Sequence, residues 1–441
     1  MEHYVPPVDL YARYLEGREV CIDSRAVRPG SMFFALHGTT DGHQYAAAAL
    51  EKGAAYAVID DPAVRQAGDD RYLLVEDTLL ALQQLARNHR QEYRMPVLAV
   101  TGSNGKTTTK ELIAAVMGQQ YRVHATPGNY NNHIGLPLTI LSMPEGTEFL
   151  LLEMGANHQG EIAALCTIGA PTHGMITNIG EAHLEGFGGI EGVVKGKGEL
   201  YDWLAAHGGV AFVNTDEERL PTMAQRVDRV IPYFNSASPS PLVAGMEVLT
   251  HRVHPTVQVS FLDEHRALVR ADTQLNGKHN LQNVKSAVAV GKYFKVPGTR
   301  IRTALEDYRS ANYRSQRLLH REVNFYWDAY NANPSSVIAA LEGFAAGRQP
   351  GELVVILGEM LELGPTAAAA HRRVVLRAGQ LARTVLLVGE QMEAVAREFD
   401  RPYFADSEVL RQWFWQQHWK DREVFVKGSR GNHLERLLQA D

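Results

Sequence analysis

One short segment constrains this chain more than any other feature. Residues 97–109 read VLAVTGSNGKTTT, in which an apolar run leads into a glycine-flanked loop and then into Lys106 and Thr107. Val97 to Val100 suit a buried strand, and the sequence from Lys106 onward has the periodicity of a helix. A loop between such a strand and such a helix directs backbone N–H groups at phosphate oxygens. The segment therefore predicts a nucleoside triphosphate site.

The pattern departs from the usual phosphate loop at one position. Glycine is expected five positions before Gly105, but Val100 stands there, so this is the shorter T-G-x-x-G-K-T version. We expect Lys106 to reach the β- and γ-phosphates of ATP and Thr107 to bind Mg²⁺. The alternative is a glycine turn followed by a surface lysine. The other residues of this segment that we expect to bind ATP are Gly102, Ser103, Asn104 and Thr108.

Composition narrows the class of protein. The 441 residues are 45% hydrophobic and 21% charged, as in an ordinary globular protein, and that length suits about three domains. A net charge of -6 gives no reason to expect nucleic acid as a partner. Cys21 and Cys166 are too few for a disulfide framework, and the N-terminus lacks the features of a signal peptide. With no apolar run long enough to span a membrane, we expect a cytoplasmic protein.

Strand and helix patterns divide the chain into three α/β units. We expect an N-terminal domain at 1–94, a central ATP-binding domain with a mostly parallel sheet at 95–313, and a smaller Rossmann-like domain at 314–441. Pro96 marks the first boundary. The expected strands are 32–36, 55–59, 97–100, 149–153, 174–178, 209–214, 324–327, 353–357, 384–388 and 424–426, and the expected helices include 45–52 and 79–93.

Polar residues follow several of these strands. Glu153 ends the strand FLLLE, where its carboxylate could reach Mg²⁺ or could simply be a solvated strand end. His183 follows the next strand, although Mg²⁺ prefers oxygen ligands and a hydrogen-bonded loop histidine is the simpler interpretation. Lys195 and Lys197 lie in a helical segment and suit a helix surface. A buried lysine with a lowered pKa could instead react with CO₂ to form a carbamate.

Two later segments carry further candidates. Asn280 and Asn283 are three residues apart, so they share a helix face and could bind a purine edge, or they could be an N-cap and an ordinary polar face. Asp328 ends a strand ahead of a helix that starts with proline, although a plain Asx turn also explains it.

Together these segments resemble the ATP-dependent Mur ligase family over nearly the whole chain. The motif TGxxGKT is shared by Mur ligases and folylpolyglutamate synthases. Within the family, the strings MGANHQGEI, AHLEGFG and YNANP are most similar to the ligases that add D-alanyl-D-alanine to UDP-N-acetylmuramoyl tripeptide. The other matching segments are DSR, PGSMFFAL and DGH near the N-terminus, GNYNN, IGLPLT and KGE in the centre, and GEMLELG and KGSRG near the C-terminus.

The resemblance implies roles for individual residues. It implies a carbamate on Lys197 and two Mg²⁺ ions, the first held by Glu153 and the second by His183. It also implies that Lys106, Lys197, His183 and Glu153 are the catalytic set, with Thr107 as a further metal ligand. The residues that the resemblance adds to the ATP site are Asn280, Asn283, Arg317, Asp328 and Asn331, and those at the UDP end of the substrate are Ser24 and Arg25.

The resemblance further implies a reaction. The tripeptide carboxylate would attack the γ-phosphate of ATP, and the amine of D-alanyl-D-alanine would displace phosphate from the resulting acyl phosphate. We expect a monomer whose third domain closes on the central one. The alternatives are a sibling ligase that uses another amino acid, and a catalytically silent protein that only binds nucleotide.

Overall fold

Three β-sheets organise the part of the protein that the structure describes. The structure is a computed structural model that describes residues 4–236, 246–310, 315–419 and 422–439. Each sheet has helices packed against it, and most strand pairs are parallel. The predicted α/β fold class is therefore confirmed. The expected domain boundary at residue 313 lies outside the described residues. No helix in the described ranges is long and apolar enough to cross a membrane.

The N-terminal sheet is small and entirely parallel, with its strands in the order of the chain. Its strands are β1 (Val20–Cys21), β2 (Met32–Phe34), β3 (Tyr56–Ile59) and β4 (Tyr72–Leu74), and the helices of this region are α1 (Pro7–Gly17), α2 (Ala46–Glu51) and α3 (Thr78–Gln91). Asp77 caps α3 by accepting a hydrogen bond from the backbone N–H of Leu80, which explains why this helix starts at Thr78.

An apolar interface joins the N-terminal unit to the centre. One continuous hydrophobic cluster runs from Leu10 and Phe34 in the N-terminal unit to Leu136 and Ile140 in the central one. At the same interface the Tyr14 hydroxyl donates to the carbonyl of Leu141 at 2.7 Å. Because apolar burial is the main stabilising term between packed elements, these two units are joined as a single body.

Among the described residues, the central sheet has nine strands in the order β13-β12-β11-β10-β9-β8-β5-β7-β6. These are β5 (Val97–Thr101), β6 (Val123–Ala125), β7 (Phe149–Glu153), β8 (His173–Ile176), β9 (Val210–Asn214), β10 (Arg229–Ser236), β11 (Glu247–Arg252), β12 (Gln258–Leu262) and β13 (Leu268–Asp272). The helices are α4 (Lys106–Met117), α5 (Gly135–Leu141), α6 (Glu161–Gly169), α7 (Leu184–Phe187), α8 (Ile190–Ala206), α9 (Leu220–Ala224), α10 (Lys278–Tyr293) and α11 (Gly298–Asp307).

The position of β5 in the sheet determines where the candidate site lies. This strand pairs in parallel with β7 on one side and with β8 on the other, so the carboxyl ends of all three lie together. Val100 is in register with Glu153, and Thr101 is in register with Ile176. Ligands of open parallel sheets bind in this crevice. Within the described residues, the antiparallel pairs of this sheet are β11–β12 and β12–β13, at the far edge.

Two expected strands end two residues earlier than predicted: β2 was expected over 32–36 but ends at Phe34, and the other is β8. The pattern predicts a strand over 174–178, whereas β8 ends at Ile176. Beyond it, the Thr177 hydroxyl and the Asn178 amide donate to the carbonyl of Asn104, at 2.6 and 2.9 Å. The chain leaves the sheet there because these side chains bond to the phosphate-loop segment.

The C-terminal sheet has six strands in the order β14-β15-β19-β16-β17-β18. These are β14 (Gln316–His320), β15 (Val323–Asp328), β16 (Leu353–Gly358), β17 (Thr384–Val388), β18 (Tyr403–Phe404) and β19 (Glu423–Lys427), with helices α12 (Pro334–Ala345), α13 (Ala367–Leu381), α14 (Glu393–Glu398) and α15 (Ser407–Phe414). Alternate residues of β16 enter two separate cores, since Val354 faces one and Val355 the other. Except for β14, the pairs are parallel, which confirms the predicted Rossmann-like sheet.

Candidate active site between the central and C-terminal domains

The loop after β5 has a backbone that requires glycine. Gly102 has φ +141° and Gly105 has φ +77°, a region that other residues rarely adopt. A Cβ on Gly102 would lie 2.0 Å from Thr177 Oγ1, and one on Gly105 would lie 2.6 Å from Asn283 Oδ1. The loop is therefore packed tightly between β8 and α10, with α4 starting directly after it at Lys106.

The Lys106 ammonium lies over this loop. Its Nζ donates to the carbonyls of Gly102 and Ser103 at 2.8 and 3.3 Å. The Ser103 hydroxyl bonds in turn to the backbone of Gly180, so the loop is also fixed from the side of β8. A cation and the N-terminus of α4 face the same crevice, which is the electrostatic arrangement that binds phosphate groups.

Glu153 lies buried beside the start of α4, with 1% of its surface exposed. Its Oε1 accepts from the Thr107 hydroxyl at 3.1 Å and from the Asn131 amide at 2.8 Å. Its Oε2 has no hydrogen-bond partner among the described residues and lies 3.6 Å from Lys110 Nζ. Leaving a buried carboxylate oxygen without a hydrogen bond is costly. A hard cation would satisfy this oxygen, so Glu153 with Thr107 fits a Mg²⁺ site.

The two lysines of α8 occupy opposite environments. Lys195 is exposed, whereas Lys197 is 1% exposed, and its Nζ donates to the carbonyl of Ala156 at 3.1 Å. Burial, and secondarily the charge of Lys106, lower the pKa of Lys197 well below its usual range. The amine is therefore neutral more readily than a surface lysine, which is the form that reacts with CO₂. Ala156 lines the pocket, whereas Lys197 does not.

His183 lies at the rim of the crevice, at the start of α7, with a left-handed backbone at φ +53°. Its Nδ1 is 2.5 Å from Oε2 of Glu362, a residue of the C-terminal domain. Contact with His183 lowers the pKa of the Glu362 carboxyl. Nearby, Glu181 forms an ion pair with Arg373 of α13, so two residues of this loop reach the C-terminal domain.

Asn280 and Asn283 share a face of α10, as the spacing predicts. The Asn283 amide donates to Asn280 Oδ1 at 3.0 Å, and Asn283 Oδ1 accepts from the Thr109 hydroxyl at 3.0 Å. Both residues line the pocket. His279 lies beside them, and burial lowers the pKa of its imidazole to about 4, so this ring is neutral near pH 7.

The C-terminal wall of the pocket carries Asp328 at the end of β15. Its Oδ2 is 2.5 Å from Nζ of Lys427, which also donates to the carbonyl of Asn331 at 3.1 Å. Lys427 is 3% exposed, so the pair is held away from bulk water. Asp328, Asn331 and Lys427 all line the pocket.

The phosphate loop is bonded directly to the C-terminal domain. The Asn333 amide donates to Asn104 Oδ1 at 2.7 Å, and the Asn104 amide donates to the Ser335 hydroxyl at 3.3 Å. Asn333 also caps α12, so the N-terminus of that helix faces the loop. The crevice between the two domains is a pocket of about 680 Å³. The predicted residues that line it are Ser103, Asn104, Gly105, Lys106, Thr107, Thr108, Glu153, His183, Asn280, Asn283, Asp328 and Asn331.

The other five predicted residues do not line this pocket: Gly102 belongs to the loop after β5, Lys197 is buried in α8, and three lie elsewhere. Arg317 is exposed on β14 and does not line this pocket. Ser24 and Arg25 lie in the N-terminal unit after β1, where the Arg25 guanidinium bonds to Asp23 and the Ser24 carbonyl accepts from Lys52 at 2.9 Å. Their roles stay predictions.

Some residues of the site were not predicted from the sequence. Lys110 donates to the carbonyls of Thr126 and Gly128, at 2.7 and 3.2 Å, and so tethers the segment that carries Asn131. Its signal was the spacing of four residues from Lys106, which places both lysines on one helix face. Glu362 lies in the matching segment GEMLELG, but no local pattern predicts its contact with His183, which is purely tertiary.

A second group of possible metal ligands lies in the N-terminal unit, at His37, Asp41 and His43. His43 Nδ1 is 2.8 Å from Asp41 Oδ1, and His43 Nε2 accepts from the backbone N–H of Asp60 at 3.1 Å. Both nitrogens of the buried ring are therefore engaged by the protein. The cluster joins the loop before α2 to the end of β3.

Three family models match the chain. They are described as Mur ligase family, catalytic domain, over residues 18–90, Mur ligase middle domain, over residues 100–291, and Mur ligase, glutamate ligase domain, over residues 313–430. A similar relative is the UDP-N-acetylmuramoyl-tripeptide--D-alanyl-D-alanine ligase of Bacillus subtilis, which is 32% identical over 435 residues. That alignment covers 95% of this chain and 92% of the relative.

Solved structures show the same similarity. A crystal structure of MurF from Acinetobacter baumannii has a TM-score of 0.83 and 28% identity, and the match covers 95% of this chain and 92% of that one. The MurF ligase of Thermotoga maritima, solved in complex with ADP, has a TM-score of 0.80 and 27% identity over 96% of this chain and 97% of that one.

Proposed function

This chain belongs to the Mur ligase family, and on that premise we propose that it joins D-alanyl-D-alanine to UDP-N-acetylmuramoyl tripeptide at the expense of ATP. The resemblance indicated by the sequence motifs is confirmed. The product would be the UDP-N-acetylmuramoyl pentapeptide, a precursor of peptidoglycan. The relatives with this activity match the chain over nearly its full length.

The observation that carries the proposal is the pocket shared by two domains. The phosphate loop with Lys106 forms one wall, and the N-terminus of α12 with Asp328 forms the other. ATP is the ligand that this arrangement suits, because the triphosphate is polyanionic and both helix N-termini carry positive partial charge. Support comes also from the similar MurF ligase of Thermotoga maritima, which was solved with ADP.

The reaction proceeds in two steps. An oxygen of the tripeptide's terminal carboxylate attacks the γ-phosphorus, the bond to the bridging oxygen breaks, and ADP leaves. The amine nitrogen of D-alanyl-D-alanine then attacks the carbonyl carbon of the acyl phosphate. Phosphate leaves with the former carboxylate oxygen, the nitrogen loses a proton, and an amide remains. The protein contributes positioning and charge stabilisation.

The residues around the phosphate loop have separate roles in this reaction. Lys106 exchanges its bonds to the loop carbonyls for bonds to the β- and γ-phosphate oxygens, and thereby stabilises the charge that develops on the transferred group. The backbone N–H groups of residues 103–108 hold the remaining phosphate oxygens. Asn280 and Asn283, with Asn331 opposite them, line the part of the pocket left for the nucleoside.

The residues fit a metal-dependent version of this reaction. Thr107 and Glu153 would hold one Mg²⁺ ion, and His183 with a carbamate on Lys197 would hold a second. When bound, Mg²⁺ neutralises charge on the phosphate oxygens. The buried Glu153 oxygen without a hydrogen bond supports the first site. The buried amine of Lys197 with its lowered pKa supports the carbamate, because only the neutral amine reacts with CO₂.

The N-terminal unit would hold the UDP end of the substrate through Ser24 and Arg25. Arg317 would approach the phosphates from the C-terminal domain after a rearrangement of β14, since it is exposed at present. We propose domains at 1–94, 95–313 and 314–441, and we propose that the chain acts as a monomer in the cytoplasm.

Oxygen-18 labelling tests this proposal. The tripeptide is labelled in its terminal carboxylate, and the released phosphate is analysed by mass spectrometry. Transfer of one labelled oxygen to phosphate is expected, because the acyl phosphate retains that oxygen until the amine displaces it. Unlabelled phosphate would indicate simple ATP hydrolysis, and transfer supported by a single amino acid instead of the dipeptide would indicate a sibling ligase.

A further inference from the structure

The imidazole of His183 lies where the central and C-terminal domains meet. Its backbone is left-handed at φ +53°, it precedes the short helix α7, and its side chain is 19% exposed. It lines the pocket between the central and C-terminal domains. A histidine in a loop of this kind has two tautomers and can rotate about its side-chain bonds. Its buried Nδ1 has no well-aligned hydrogen bond among the described residues, and the charged atom beside it, 2.5 Å away, is Oε2 of Glu362.

That partner, Glu362, belongs to a loop that is anchored on both sides. The backbone N–H of Met360 donates to His371 Nε2 at 2.9 Å, and that of Leu361 donates to the Ser429 hydroxyl at 3.0 Å. Leu363 is buried at 2% exposure. Glu362 itself has φ +67°, so its side chain leaves the loop in a defined direction, toward the central domain. Its carboxylate oxygen is 2.5 Å from His183 Nδ1.

We propose that Glu362 is a positioning residue for His183 and so makes the second metal site depend on closure of the C-terminal domain. The inference rests on the proposed function. A carboxylate beside Nδ1 keeps the proton on that nitrogen, which leaves the lone pair on Nε2. Histidines that bind metals are oriented in this way by carboxylates next to their other nitrogen. Here the carboxylate comes from a different domain than the histidine.

The fit of the two loops supports this coupling. A Cβ on Gly364, two residues after Glu362, would lie 3.2 Å from the Cβ of Glu185, so the loops are already in close contact. Glu181 and Arg373 form a second ion pair between the same two regions. That second pair involves no histidine. It therefore provides a matched control for the effect of domain contact alone.

The test measures binding of Mn²⁺, used in place of Mg²⁺, to the full-length protein saturated with β,γ-imido ATP. Free Mn²⁺ is followed by electron paramagnetic resonance. The variants are Glu362→Ala, Glu362→Gln, the control Arg373→Ala, and His183→Ala, which defines the site that depends on the histidine. In Glu362→Ala we expect about 10- to 100-fold weaker Mn²⁺ binding at that site. Glu362→Gln keeps a neutral acceptor for Nδ1–H and should lose less.

Arg373→Ala should bind Mn²⁺ as the wild type does, and Arg373→Ala, Glu362→Ala and Glu362→Gln should retain affinity for the nucleotide. Equal losses in Arg373→Ala and Glu362→Ala would mean that the contact only holds the domains together, and would overturn the proposal. Unchanged Mn²⁺ binding in Glu362→Ala or in His183→Ala would overturn it as well. If Mn²⁺ binds as expected but the wild type forms no amide, the proposed function fails while this inference stands.

Discussion

The Asn333 side chain donates a hydrogen bond to Asn104 Oδ1 at 2.7 Å, so a residue that starts a helix of the C-terminal domain is bonded directly to the phosphate loop. The N-terminal unit packs on the centre through a continuous apolar cluster. In contrast, Asn104–Asn333, Glu181–Arg373 and His183–Glu362 are all polar contacts. Polar contacts exchange with water at little net cost, which suits a domain that opens and closes.

Removal of the Asn333 side chain should weaken closure. Asn333→Ala loses both the cap of α12, worth about 1 kcal/mol, and the bond to Asn104. Asn333→Ser keeps a capping oxygen but is too short to reach Asn104. We expect both variants to show a smaller compaction than the wild type in small-angle scattering with an ATP analogue and substrate, and only Asn333→Ala to lose thermal stability. No compaction in the wild type would contradict the hinge account.

The two lysines of α8 should behave differently when replaced. Lys197→Ala should lower ligase activity by about 10- to 100-fold or more, since a ligand of the second metal would be missing. Lys195→Ala should stay within about twofold of the wild type, because surface substitutions rarely matter. A short carboxylate such as acetate should restore part of the activity of Lys197→Ala. Equal damage in Lys195→Ala without any rescue would move the role to Lys195.

Gly105→Ala should reduce nucleotide affinity. Its left-handed backbone costs a residue with a Cβ about 1–2 kcal/mol, and the new methyl group would in addition displace Asn283. Gly68→Ala is the control, because Gly68 has φ +81° but a Cβ there would meet no atom within 4 Å. Calorimetric titration with ATP should show weaker binding only in Gly105→Ala. Equal affinities would mean that the Asn283 contact does not shape the loop.

Acidification should destabilise the C-terminal domain through His371. This fully buried ring accepts the backbone N–H of Met360, and burial lowers its pKa to about 4 from a usual 6.5. Between these two values the unfolded chain binds more protons than the folded one, so stability falls as pH falls, by about 3 kcal/mol at most.

The matched variant for this effect is His371→Gln, which can still accept from Met360 but does not titrate. His89 and His173 also have pKa values of about 4. Both the wild type and His371→Gln should therefore lose stability in acid. The melting temperature of His371→Gln should depend less steeply on pH across this window. Identical slopes would show that His371 is not responsible.

The sequence predicts the central strands well because both of their faces are buried. β7 occupies Phe149–Glu153 and β17 occupies Thr384–Val388, both as expected. A strand that is buried on both faces has a continuous apolar sequence, which is easy to recognise. The antiparallel strands β12 and β13 were not predicted. Residues of β13 alternate between buried and exposed positions at the sheet edge, so its apolar run is shorter and less distinct.

In the candidate site, too, the sequence predicts some features and not others. Glu153 and Asp328 could be located because the carboxyl ends of parallel strands gather at one edge of a sheet. Which of Lys195 and Lys197 is buried depends on how α8 packs, and the short helical pattern does not determine this. The contact between His183 and Glu362 depends on how two domains dock, which no local pattern encodes.

Phosphate release from ATP tests the central claim most directly. The purified protein is given Mg²⁺ and UDP-N-acetylmuramoyl tripeptide, and D-alanyl-D-alanine is compared with single amino acids as the amine. We predict release that requires the dipeptide, with a product heavier than the tripeptide substrate by the dipeptide less water. Release with a single amino acid would contradict the assignment in favour of a sibling ligase, and no release with any amine would indicate a protein that only binds nucleotide.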